Sequence, residues 1–406
     1  MTDAPASTAR IARGTPEFRR VALGLACGGF SIFALLYCVQ PLLPAFARDF
    51  DVTPAQSSLA ISAATTLMAF AMIGSALISD AIGRRALMIG ALVFSALSTI
   101  AMGFATEWWQ MLALRGLLGV TLSGLPAVAM AYLADEMEPD AIGFAMGLYI
   151  GGNGIGGMMG RFVVSALADW GSWRLGLGAL GAFGLLSAAA FWWILPPSRN
   201  FRPHPVGWSR IVSGLARESR DPGLRILVVE SFLMLGTFVM LYNYIGFRLQ
   251  APPFDLSQTV TGSIFVVYLC GSFGSAWMGN LTSRFGRSIV FPSGLCIFLL
   301  GLAMTYPDNL ASIVIGMALA TFGFFGAYSV ASSWVGLRAS PQGRAQASSL
   351  YLMCYYLGAS VLGWAGGYAW SAGGWPALLA SAFAMMSVAL IGAWMLARVP
   401  PPKTSG

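Results

Sequence analysis

Twelve times along this chain, a run of about 20 apolar residues is long enough to cross a hydrocarbon core of about 30 Å as an α-helix. The runs fall at 21–46, 56–79, 86–105, 108–133, 142–167, 174–195, 224–248, 259–282, 288–306, 310–333, 345–369 and 375–397. Backbone inside lipid must satisfy its own polar groups, and only helices or closed barrels do so. A barrel is excluded, because the runs are continuously apolar rather than alternating with period two. A water-soluble fold is excluded by charge. Only 10% of the 406 residues are charged while 57% are hydrophobic, against about 25% charged in an average soluble domain. The expected class is an all-α integral membrane protein.

The cations set its orientation. Of 23 Lys and Arg, eighteen lie in segments that share one side with both termini. Three, Arg48, Arg174 and Arg248, lie on the other side, and two, Arg115 and Arg161, lie inside spans. This bias predicts a multi-pass protein of a bacterial inner membrane with both termini cytoplasmic. The net charge of +7 then reflects topology and anionic lipid, and requires no nucleic-acid partner. Asp135, Glu136, Glu138 and Asp140 run against the trend between the fourth and fifth spans, but acids weigh little in topology. No cleavable signal is expected, since the first run is too long for a signal h-region. The five cysteines fall in spans without a CxxC pair, which argues against a disulfide or metal role. The lone His204 sits in a Pro-rich loop, as a solvated residue would.

The chain divides near its middle. A tail at 1–20 precedes a first bundle at 21–195. A linker at 196–223, with Pro196, Pro197, Pro203 and Pro205, then carries a basic amphipathic stretch from Trp208 to Arg220. Such a stretch lies along a membrane surface. A second bundle follows at 224–397, and a short tail at 398–406. Shifting the sequence by about 203 residues superposes the halves. Residues 76–84 fall on 279–287 and Gln40 falls on Asn243; with one residue less, Leu148-Tyr149 meets Leu350-Tyr351. Six spans repeated about an axis along the membrane normal is the plan of one large class of transporters.

These residues carry a family resemblance over almost the whole chain. The loop Ala76 through Arg85 resembles the signature G-x-L-x-D-R-x-G-R-[RK] of the major facilitator superfamily, with Asp80, Gly83, Arg84 and Arg85 matching. The second copy keeps Gly279, Leu281, Arg284, Gly286 and Arg287, with Ser283 in place of the acid. Arg115-Gly116-Leu117-Leu118-Gly119 resembles that family's R-x-x-x-G motif. Tyr149 through Asn153, Gly156 through Arg161, and Tyr242 through Gly246 are most similar to the YnfM-type group of bacterial proteins, near the drug/proton antiporters. Asn153-Gly154 stands where those antiporters have a Gly-Pro step. The resemblance implies twelve helices in two six-helix halves that rock about a central cavity.

In this family the loop cluster holds the halves together when the transporter opens outward. Its chemistry fits such a latch. Gly83 permits a tight turn, Asp80 can cap a neighbouring helix, and Arg84 and Arg85 can pair with Asp135 or Glu136. A plain hairpin turn is the alternative. Gly152-Asn153-Gly154-Ile155-Gly156-Gly157 formally matches a dinucleotide fingerprint, but that motif requires a preceding strand. Glycines at spacing four, 147/151, 152/156 and 156/160, read instead as a smooth helix-packing face. No enzyme motif, cofactor site or metal cluster survives.

Function should reside in polar groups that cross the hydrocarbon, because each is costly there. Arg115 and Arg161 lie eight residues from Glu107 and Asp169 at the far ends of their helices, about 12 Å deep. Glu230 lies about 9 Å from the other surface, leaving about 9 Å of depth between it and the arginines. Tyr37, Gln40, Asn153 and Asn243 add neutral polar groups. A buried arginine can also merely satisfy backbone carbonyls, and the amides can merely join helices. The resulting expectation is a monomeric, proton-coupled transporter working by alternating access, exporting a small organic or amphipathic solute. Uptake of an organic anion, or a non-transporting sensor on the same fold, are the alternatives.

Overall fold

The computed structural model describes residues 10–201, 208–340 and 343–400. His204 lies outside the described residues. In the first half, α1 (Pro16–Tyr37) continues through a tight turn at Gln40–Leu42 into α2 (Leu43–Asp49). There follow α3 (Pro54–Ile82), α4 (Arg84–Met102), α5 (Trp108–Leu122) with α6 (Pro126–Glu136), α7 (Pro139–Trp170) and α8 (Trp173–Ile194). The linker forms α9 (Trp208–Glu218). The second half runs through α10 (Pro222–Leu249), α11 (Gln258–Ser263) with α12 (Tyr268–Phe285), α13 (Arg287–Met304), α14 (Leu310–Arg338) and α15 (Arg344–Arg398).

Nine segments among the described residues are long and apolar enough to cross a membrane by length and composition alone. Twelve spans result once three local effects are counted. α15 is two spans, since Gly373 and Gly374 leave helical geometry and Pro376 has no N–H to continue the ladder. The α5–α6 span is interrupted just before Pro126. In α7, many glycines and Asn153 dilute the hydropathy.

Local chemistry ends the helices where a membrane surface would require it. Side chains of Thr53, Ser172, Asp221, Ser257 and Asn309 accept N–H bonds at helix starts. Gly83 and Gly286 take φ of 89° and 77° in the matching hairpins, a conformation that favours glycine. The tight turn expected of both loop copies is therefore present.

The halves pack alike. α1 lies on α7 as α10 lies on the first part of α15. Gly156 meets the Phe30 carbonyl, and Gly358 meets the Phe232 carbonyl, with no room for a Cβ at either. Gly152, Gly156 and Gly160 press on the α1 backbone, as a packing face should. Gly147 and Gly151 correct that expectation: nothing approaches within 4 Å of a Cβ built there. Five residues from Gly147 to Gly152 turn the helix by about 500°, onto another face. Between the halves, α3 packs on α15 and α7 packs on α11, partners that exchange under the repeat.

Candidate transport site

Pro41 shapes the centre of the molecule. Lacking an N–H, it cannot continue α1, and the chain tightens into the turn at Gln40–Leu42. The turn places Gln40 against the other half, where its Nε2 donates to Asn243 Oδ1 at 2.8 Å. These are residues superposed by the internal repeat, so their contact straddles the pseudo-twofold axis. On the other side of Gln40, Arg161 Nε donates to Oε1 at 2.8 Å. Arg161 Nη1 donates to the Gly157 carbonyl at 2.7 Å, and Nη2 to the Tyr268 hydroxyl at 3.3 Å. Rings of Tyr37, Tyr268 and Phe265 stand 4.6, 4.7 and 4.8 Å from the guanidinium, within cation–π range. Among the described residues no carboxylate pairs with Arg161. Tyr37, Gln40, Arg161 and Asn243 are thus brought together, 2% or less exposed except Tyr37 at 7%.

Arg115 is elsewhere. Its Nε donates to the Ala60 carbonyl at 2.6 Å, Nη1 to Leu35 at 3.3 Å and Nη2 to Leu36 at 2.5 Å. Leu35 and Leu36 belong to the last turn of α1, whose carbonyls lose their helical partners where the helix stops. A cation at that end also meets the negative pole of the helix. Arg115 therefore caps a helix that ends inside the membrane, and Gly119, four residues on, packs on the Ala64 backbone.

Glu230 reaches neither arginine. It is 1% exposed, its Oε2 has no partner, and its Oε1 occupies the space that a side chain at Gly392 would fill. Depth alone predicted proximity, but Glu230 and Asn243 are thirteen residues apart on α10. That separation turns the helix about 220° beyond whole turns, so Glu230 faces the last span and Asn243 faces the axis. Asn153, oriented to donate, bonds the carbonyls of Gly29 (3.2 Å) and Tyr149 (3.1 Å), tying α7 to α1.

The two membrane faces differ. Away from the Arg84 and Arg287 loops, the halves are joined. Asp169 accepts from the backbone N–H groups of Gln258 (3.1 Å) and Thr259 (2.8 Å), and Gln258 Nε2 donates to the Pro41 carbonyl at 2.6 Å. Ser62 Oγ donates to the Ser360 carbonyl at 2.8 Å, and Ala55 packs against Gly367. At the arginine-rich face the loop residues described bond within their own half or to the linker. Arg84 Nε pairs with Asp135 at 2.5 Å, and Arg85 donates to the Trp192 carbonyl. Glu136 accepts from the N–H groups of Arg199 and Asn200 at 2.8 and 3.0 Å instead of pairing with Arg84 or Arg85. Arg287 donates to Ser333 at 3.2 Å, and Arg284 is exposed. The Asp80 side chain lies outside the described residues.

Sequence reasoning missed Tyr268 and Phe265. Aromatics make up 13% of the chain, so composition singles out none of them.

The family described as Major Facilitator Superfamily matches residues 25–254 and again 233–406. This chain belongs to the major facilitator superfamily. It is a transporter of small molecules, not an enzyme. The inner membrane transport protein YnfM of Escherichia coli (strain K12) is 44% identical over 94% of this chain and 91% of its own length. The uncharacterized MFS-type transporter YybF of Bacillus subtilis (strain 168) is 40% identical over 96% of each chain. The fold is similar to that of a bacterial homologue of the human lysosomal transporter Spinster, in an inward-facing and unoccupied conformation. That likeness has a TM-score of 0.79 at 18% identity, over 95% of this chain and 98% of the other. A mutant form of the nucleoside transporter NupG gives 0.75 at 16% identity, over 93% and 98%. The YnfM-type resemblance read from the sequence is thereby upheld.

Proposed function

We propose that this transporter is a proton-coupled carrier of small organic anions that works by alternating access. One observation carries the reading: among the described residues Arg161 sits beside the pseudo-twofold axis without a counterion, where both halves contribute to one site. An uncompensated buried cation is costly and is most readily balanced by an anionic solute. Glu230, the one acid deep inside a span, is the proton carrier in this reading. Its lack of a partner at Oε2 supports that role. The role of Arg115 is structural.

Export is the direction we assign, from the similarity to proteins near the drug/proton antiporters. Uptake of the same anions is the second reading, favoured by Asn153-Gly154 in place of their Gly-Pro step. A sensor without transport is disfavoured by the Arg84–Asp135 pair, which suits a cycling latch. Arg84→Ala should accordingly slow cycling while leaving solute affinity intact. The chain is assigned to an inner membrane as a monomer with cytoplasmic termini, halves at 21–195 and 224–397, and a linker at 196–223. Cysteines at 50 and 308 should then label from outside, and cysteines at 205 and 340 only from inside.

The test is flux in proteoliposomes under an imposed pH gradient. Glu230→Gln should abolish gradient-driven accumulation of organic anions while sparing exchange. Accumulation equal to that of the unmodified protein would move the proton site elsewhere.

A further inference from the structure

We infer that the anion is a planar aromatic carboxylate, held at its head by Arg161 and Asn243 and along its plane between glycine and aromatic walls. The inference rests on the organic-anion reading above and adds the shape and the face of the solute.

The head group follows from a count of donors. A guanidinium has five N–H groups. Arg161 spends one from each nitrogen, on Gln40, Gly157 and Tyr268. One N–H remains on each terminal nitrogen, the fork that a carboxylate accepts in bidentate fashion. A third donor ends the chain of bonds that runs from Arg161 through Gln40. Asn243 is 1% exposed, its Oδ1 is bound by Gln40, and its Nδ2 is buried without a partner. The asymmetry of the repeat explains the orphan. Shifted by 202 residues, Arg161 falls on Gly363, and a Cβ at Gly363 would stand 3.1 Å from Asn243 Nδ2. One half thus supplies a cation, and at the matching place the other has no side chain to pair with the Asn243 amide.

The shape follows from the walls. On α7, nothing lies within 4 Å of a Cβ at Gly151, and only Ser272 Oγ, at 3.8 Å, lies near one at Gly154. That wall is bare backbone. Across from it, Tyr268 and Phe325 stand 5.7 Å apart in edge contact, and Tyr328 lies 4.9 Å from Tyr355. Ser272 lies one turn beyond Tyr268 on α12, and its approach to Gly154 sets that ring-bearing helix opposite the glycine wall. A flat π-system can meet the rings face-on or edge-on with its other face against bare backbone, a contact that a saturated ring of equal carbon count cannot make.

Binding to the purified full chain in nanodiscs, followed by calorimetry, tests this with three probes: 2-naphthoate, its saturated analogue decalin-2-carboxylate, and the neutral 2-naphthylmethanol. We expect 2-naphthoate to bind at least tenfold more tightly than either of the others. Arg161→Lys keeps the charge but loses the fork, and should weaken 2-naphthoate tenfold or more; Asn243→Leu should weaken it severalfold. Gly154→Leu, introduced where space is open, should erase the preference over decalin-2-carboxylate while leaving the protein folded. Equal affinity for the two carboxylates would overturn the aromatic inference and leave the anion reading standing. Naphthylmethanol binding as well as naphthoate would overturn the anion reading itself. If no probe binds, the aromatic inference fails, and aliphatic carboxylate flux in proteoliposomes decides the broader reading.

Discussion

Arg115 and Arg161 look alike in the sequence: each lies eight residues from an acid at the far end of its helix, and each is at most 2% exposed. Their surroundings are opposite. Arg115 gives its donors to three backbone carbonyls and touches only the first half. Arg161 gives one to a side chain that bonds the second half and another to Tyr268 of that half. A buried cation bound to main chain holds a shape, whereas the one bonded across the two halves is the one to which the proposal above gives the solute. Position along the helix cannot tell these apart. Direction around it can.

The largest effect that would break this contrast is on folding. Arg115→Met removes three charge-assisted bonds, each worth about 1.5–3 kcal/mol. We expect a loss of several kcal/mol, seen as a large fall in Tm and in folded yield. A stable Arg115→Met protein with dead transport would reverse the two assignments. Arg161→Gln should do the opposite. Flux should fall about 100-fold or more, equivalent to about 2.7 kcal/mol at 1.36 kcal/mol per factor of ten, while Tm moves by only a few degrees. Near-normal transport by this variant would remove Arg161 from the site.

A smaller effect sharpens the role of the axis. Gln40→Leu leaves Arg161 charged but unbraced, with Asn243 Oδ1 also freed. One lost charge-assisted bond of about 1.5 kcal/mol implies roughly tenfold weaker solute binding. Gln40→Glu, which restores an acceptor with charge, should instead neutralise Arg161 and exclude anions; competition binding with 2-naphthoate distinguishes the two.

The smallest effect concerns Asp169, two turns beyond Arg161 and the nearest acid on its helix. Its carboxylate caps the start of α11 across the halves instead of pairing with the arginine. Burial acts to raise its pKa, but bonds from Thr259, Ser257 and Gln258 outweigh burial and hold it below the usual Asp value. A lowered value means that this contribution to the closed face is complete at neutral pH, and is lost as pH falls through the lowered value. Asp169→Ala should weaken closure by about 1 kcal/mol, the usual worth of a cap, shifting spin-label distances across that face toward the open form. Distances that stay unchanged, in the variant and on acidification, would show that the Ser62–Ser360 and Ala55–Gly367 contacts suffice alone.

Much of the architecture is legible in one dimension. Span length, the cation bias and the repeat are linear patterns, and each follows from lipid thickness, from charge translocation or from duplication. Gly83 and Gly286 are legible for a related reason, because a residue with positive φ is required wherever two helices turn that tightly. The repeat even pointed to the centre, since Gln40 and Asn243 superpose in sequence and touch in space. Glu230 shows where such reasoning stops. Depth along a helix says nothing of direction around it, and thirteen residues of helix turn Glu230 away from the axis that Asn243 faces.

Chain composition and order by themselves determined that this protein spans a membrane in twelve helices with two related halves, because helix length and hydrophobicity are properties of contiguous residues. Tertiary structure alone decided which buried arginine is spent on main-chain carbonyls and which bonds side chains of both halves. That outcome depends on where Pro41 stops α1, on which carbonyls are thereby orphaned, and on which rings of the second half close over Arg161. These are contacts between residues more than a hundred positions apart in some cases, and no local pattern encodes their direction.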